Sequence, residues 1–172
     1  MDNAQQSTGV TTGPQRPTLL TVLCILTFIG SAWGVISNIS NYMNADVSSQ
    51  VAGTMLDSAK EEISKESDNE SATKMAEKVI SGASAMLNPE NIKKNALFSI
   101  LANLLTLGGA FLMFQLKKTG FWVYLAGTGI AIVTPLVVYG PANLMSIGMT
   151  AVIGFFGILF AVLYSINLKY MR

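Results

Sequence analysis

Apolar residues along this chain gather into four long runs, and the polar segments between them are of very unequal length. Residues 18–39, 96–116, 121–139 and 144–166 contain no Asp, Glu, Lys or Arg. Each run is close to the ~20 residues an α-helix needs to cross a hydrocarbon core. Four helices apolar on all sides leave too little polar surface for a soluble domain, so the pattern predicts an all-α integral membrane protein built as a four-helix bundle. The links at 117–120 and 140–143 are so short that the second, third and fourth spans must be antiparallel neighbours. Pro141 is expected in the first turn of the fourth span.

The segment 40–95 reads differently. Val47, Val51, Met55, Leu56, Ala59 and Ile63 follow one helical face, and Ala72, Met75, Ala76, Val79, Ile80, Ala83, Met86 and Leu87 follow another. Ser67, Asp68, Asn69 and Glu70 between them read as a turn. The expectation is an extramembrane helical hairpin between spans 1 and 2, against the competing reading of a solvated loop. Asn88, Pro89 and Glu90 form a helix start, with a capping side chain, a proline suited to the first turn and an acid at the positive dipole end. That helix is expected to run into the second span. With Gly30 and Gly34 the only breakers in 18–52, the first span is likewise expected to continue outward as one long helix.

Composition fits a membrane protein: 51% of residues are hydrophobic and 12% are charged, against about 25% charged in a soluble domain. The formal net charge is +1, and the hairpin segment holds six lysines against nine carboxylates. Residues 1–17, rich in Gln, Ser, Thr and Gly, cannot bury enough apolar surface to order themselves and are expected to be a disordered tail. Gly30, Ser31 and Ala32 could serve a signal cleavage site, but the apolar run is too long and its positive flank too thin, so an uncleaved span is expected. Lys117, Lys118, Lys169 and Arg172, with Arg16, sit where retained positive charge places 1–17 and 167–172 in the cytoplasm and the hairpin outside. Lys93 and Lys94 run against this, although long segments translocate largely regardless of charge. Trp33, Tyr42, Phe121, Trp122, Tyr124, Tyr139, Tyr164 and Tyr170 near the span ends suggest an interfacial aromatic belt, with core packing the alternative for each.

Candidate chemistry is sparse. There is no histidine, and Cys24 is the single cysteine, so neither an intrachain disulfide nor a cysteine-rich metal site can form. No nucleophile and base pair, phosphate loop or dinucleotide fingerprint can be assembled. No enzymatic activity, cofactor, metal or nucleic-acid partner is expected. Small and hydroxyl residues line each span at helical spacing. Gly30, Gly34, Gly154 and Gly157 are the candidate helix-packing or oligomer contacts, either within the monomer or, at Gly30 and Gly34, with a second copy. Asn103, Thr106 and Thr134 are the candidate intramembrane polar contacts. Asn103 reads first as an interhelical hydrogen bond and alternatively, with Thr134 beside Pro135, as part of a polar pathway.

The run from Arg16 to Ser31, Arg-Pro-Thr-Leu-Leu-Thr-Val-Leu-Cys-Ile-Leu-Thr-Phe-Ile-Gly-Ser, followed by Trp33 and Gly34, resembles the opening of a group of small uncharacterised bacterial four-span membrane proteins. The resemblance implies a bacterial inner (plasma) membrane location and transfers no activity. A large first outer segment and a small second one is similar in layout to claudins, whose paired outer cysteines and tryptophan motif are absent here. The function expected is that of a non-enzymatic accessory, scaffold or envelope-associated interaction protein. Its partners would be membrane lipids, another membrane or envelope protein through 40–95, and a second copy. The alternative is a small oligomeric channel or transporter.

Overall fold

A computed structural model of the protein describes residues 17–66 and 70–172. The expected tail up to Arg16 and the expected turn at Ser67, Asp68 and Asn69 lie outside the described residues. Among the described residues the chain forms six α-helices: α1 (Thr18–Met43), α2 (Ala45–Glu66), α3 (Glu70–Leu87), α4 (Pro89–Phe114), α5 (Thr119–Tyr139) and α6 (Leu144–Asn167), closed by a 3₁₀ turn at Leu168–Tyr170. Helices α1, α4, α5 and the α6 stretch are long and apolar enough to cross a membrane. The protein is thus an all-α four-helix membrane protein, with α2 and α3 as a hairpin between its first two spans.

Helix boundaries follow local chemistry. Asn88 caps α4 by accepting from the Glu90 N–H at 2.9 Å, with Pro89 behind it as expected. At α6 the expectation is corrected: Asn143, accepting from the Met145 N–H at 2.9 Å, is the cap, and Pro141 stays in the connection. The turn there uses Gly140 at φ 90°, a conformation L side chains resist. The first span does not run on unbroken. It stops at Asn44, whose Nδ2 donates to the Ser40 carbonyl at 3.0 Å, one turn back. Such a side chain competes with the backbone for its own acceptors and favours a break.

In the bundle α4 stands between α1 and α5, and α6 packs on α5. The α4–α5 pair is held at backbone distance by glycine. A Cβ added at Gly109 would lie 2.5 Å from the Tyr124 nitrogen, one at Gly120 2.5 Å from the Gly109 oxygen, and one at Gly127 2.8 Å from the Ala102 oxygen. Their link is a helix stop in which Lys117 N–H donates to the Leu112 carbonyl at 3.0 Å and Leu116 N–H to Met113 at 2.9 Å. Leu116 takes the left-handed position at φ 63° although it is not glycine. It is buried in the adjoining apolar cluster with Leu20, Leu23, Met113 and Phe121, and that burial offsets a backbone cost of ~1–2 kcal/mol.

Arg172 N–H donates to the Leu116 carbonyl at 2.7 Å, and Lys118 N–H to the Arg172 carbonyl at 2.9 Å. Lys117, Lys118, Lys169 and Arg172 therefore share one end of the bundle. The opposite end carries the hairpin, latched where Asn143 Nδ2 donates to the Gly82 carbonyl at 3.1 Å and where Lys93 meets Asp46 at 2.9 Å.

The hairpin seam matches the apolar faces read in the sequence only in part: Leu56, Ala59, Ala76, Ile80 and Ala83 lie in it, Ala52 and Gly53 join it, and Val47, Val51 and Met55 do not. Ala52, Gly53, Leu56 and Ala59 of α2, and Ala76, Ile80 and Ala83 of α3, are half-buried, whereas Val47, Val51 and Met55 are 64%, 54% and 69% exposed. The small residues at the seam permit close approach, and adjacent helical positions differ by about 100°. Val47, Val51 and Met55 of the expected α2 face are therefore turned outward.

Candidate functional site

Halfway along the spans the bundle carries a laterally open cavity of about 380 Å³ between α1 and α6, floored by α4 and α5. Its origin lies in side-chain size. Toward the cation-rich end, Tyr164 of α6 is fully buried, stacks edge-on against Tyr124 at 5.0 Å and shares a 2.8 Å hydrogen bond with Thr27 of α1. This plug joins α1 to α6. Beyond it, Gly30 presents no side chain, and an added Cβ would meet nothing within 4 Å. The flanking Leu26 and Phe156 are exposed on the lipid-facing surface, so the cavity opens sideways toward the hydrocarbon.

Its wall carries a chain of polar groups. Ser31 and Thr106 hydroxyls lie 2.9 Å apart, Thr106 donates to the Asn103 carbonyl at 3.0 Å, and Asn103 Nδ2 donates to the Ser99 carbonyl at 2.8 Å. Either hydroxyl of the Ser31–Thr106 pair can be the donor. Ser31 Oγ keeps at least one open lone pair in either arrangement, and Asn103 Oδ1 accepts nothing from the described residues. None of the lining side chains is ionisable at neutral pH.

The candidates named from sequence thus separate. Asn103 and Thr106 share this cavity, joined by Ser31. The expected interhelical hydrogen bond of Asn103 is replaced by a bond within α4; its amide instead packs across onto α1, where a Cβ on Gly34 would fall 2.6 Å from Oδ1. Thr134 stands apart, lining an apolar groove of about 350 Å³ with Phe98 and Leu101 and donating to the Ile130 carbonyl at 2.7 Å. Pro135 beside it has no N–H for the Ala131 carbonyl, and Thr150 of α6 reaches the next carbonyl, Ile132, at 3.3 Å.

Among the glycines, Gly34 and Gly157 are close approaches, the latter with Thr128 Cγ2 at 2.6 Å from an added Cβ. A Cβ at Gly30 or Gly154 would meet nothing within 4 Å, although Gly154 itself is buried. Sequence reasoning overlooked Gly109 and Gly120 as contacts, although their place beside the short 117–120 link was a usable signal. Of the aromatics near the span ends, Phe121, Tyr124 and Tyr164 take the core-packing alternative and are buried in one apolar cluster. Trp33, Tyr42, Trp122 and Tyr170 do face outward.

No known protein family matches this chain, and no curated protein or solved structure proved similar to it.

Proposed function

We propose that this is a non-enzymatic multi-pass membrane protein that acts as an accessory or scaffold subunit, using the α2–α3 hairpin to engage another membrane or envelope protein. One observation carries the reading. Val47, Val51 and Met55 form an exposed apolar stripe spaced by four residues on α2, about 12 Å long at 1.5 Å per residue. The hairpin that bears it is fixed to the bundle at Asn143 and at Asp46. A projection held at its base presents such a stripe in a defined position, which lowers the ordering cost of association.

The orientation proposed puts both termini in the cytoplasm of a bacterium and the hairpin outside its plasma membrane. The grouping of Lys117, Lys118, Lys169 and Arg172 at one end supports it. The opposing lysines are accounted for by their partners: Lys93 pairs with Asp46, and Lys94 with Glu90 at 2.7 Å, so that end carries little net positive charge.

The test is a photoreactive residue at Val51 or Met55, irradiated in native membranes. A discrete protein adduct is expected from both positions, absent when the crosslinker replaces the exposed Asp57 on the opposite side of α2, and lost from Val51 when Met55→Lys is added. Adducts to lipid alone, or the same adducts from Asp57, would remove the scaffold reading. The second reading, a small oligomeric channel or transporter, draws on the polar cavity between α1 and α6. Conduction through it would require the Thr27–Tyr164 plug to open.

A further inference from the structure

We propose that the cavity between α1 and α6 binds an uncharged single-chain lipid alcohol, whose hydroxyl lies between Ser31 and Asn103 and whose hydrocarbon body rests along Leu26, Phe156 and Phe160. Size and place come first. At about 380 Å³ the cavity falls within the ~300–1,000 Å³ of small-molecule sites. Ser31, Asn103 and Thr106 stand near the middle of their spans, a depth phospholipid headgroups do not reach and where an unsatisfied polar group costs several kcal/mol.

Charge and hydrogen-bond demand then narrow the class. With no ionisable side chain on the wall, a carboxylate or ammonium would enter without a counter-ion, which the bilayer interior penalises strongly. The open positions on the wall are acceptors, at least one lone pair of Ser31 Oγ and those of Asn103 Oδ1, together with the second Nδ2 hydrogen of Asn103. A hydroxyl meets both demands, since it donates one hydrogen bond and accepts another. An ether, ester or ketone of the same shape accepts only and leaves both oxygens unpaired. The exposed flanks at Leu26 and Phe156 give such a ligand a lateral route from the hydrocarbon, with no passage through the plug.

The experiment uses the full chain in phosphatidylcholine vesicles with two probes, hexadecanol bearing a chain diazirine and its methyl ether. On irradiation the alcohol is expected to label α1 and α6 beside the cavity about tenfold more than the ether, a ratio of ~1.4 kcal/mol, with excess plain hexadecanol competing. Gly30→Leu, which fills open space without meeting other atoms at its Cβ, should abolish cavity labelling by both probes. Asn103→Leu should bring the alcohol down to the level of the ether. Ser31→Ala, which adds no bulk, should lower the preference with no more loss of thermal stability than one interhelical hydrogen bond, that to Thr106, accounts for. Equal labelling by both probes in the parent would mean the void is filled by bulk acyl chains, and the proposal fails. It fails equally if labelling persists in Gly30→Leu, or if the alcohol preference survives both Asn103→Leu and Ser31→Ala.

Discussion

Gly109→Ala is expected to destabilise the bundle by about 2–3 kcal/mol, while Gly108→Ala, one residue earlier, leaves it unchanged or gains up to ~1 kcal/mol. The two positions share a helix, a depth and a substitution, so intrinsic propensity cancels between them. What differs is the space. A methyl at 109 would meet the Tyr124 nitrogen at 2.5 Å and the Gly120 oxygen at 2.8 Å, backbone atoms that move only if α5 moves, whereas a methyl at 108 meets nothing within 4 Å. Gly120→Ala should behave as Gly109→Ala does, and Gly129→Ala as Gly108→Ala. Equilibrium unfolding in mixed micelles would measure the contrast. Equal stabilities of the 108 and 109 variants would show that α4 and α5 are not in backbone contact.

Tyr164→Ala is expected to cost about 3–5 kcal/mol, the range for removing a large buried aromatic. Tyr164 is 0% exposed and packs with Tyr124, Leu20, Leu23 and Cys24 where α6 meets α1. Its removal leaves a cavity at the junction that closes the bundle. Tyr164→Phe keeps the ring and loses only the hydroxyl shared with Thr27 at 2.8 Å, so it should cost about 0.6 kcal/mol, a typical value for an interhelical hydrogen bond in lipid. Unfolding measured side by side for the two variants separates packing from polarity. If phenylalanine costs as much as alanine, the hydroxyl rather than the ring is what joins α1 to α6.

Much of the architecture was legible because water imposes it. The four spans, the short links and the cap at Asn88 follow from where charge, proline and capping side chains stand in the chain. The rotation of each helix about its axis was not legible. Within a bilayer, lipid-facing and core-facing side chains are both apolar, so hydropathy does not say which way Tyr164 or Gly109 points. The same limit explains the site. Asn103 and Thr106, three residues apart on α4, were readable as one face, but their pairing with Ser31 depends on how α1 sits against α4. Thr134 looked like their companion because it too is polar in an apolar run, yet its hydroxyl is used by the Ile130 carbonyl beside Pro135. In the hairpin, amphipathic periodicity located α2 and α3. That the seam turns toward Ala52 and Gly53, keeping Leu56 and leaving Val51 and Met55 outside, required the closer approach that the smaller residues allow.

The arrangement of the chain across a membrane underlies everything proposed for it, and cysteine accessibility in intact cells tests it most directly. In a Cys24→Ala background, Met55→Cys on the hairpin and Thr119→Cys in the cation-rich link would each be exposed to an impermeant maleimide. The account predicts that Met55→Cys reacts in intact cells, while Thr119→Cys reacts only after permeabilisation. Labelling of both positions from the same side would contradict it.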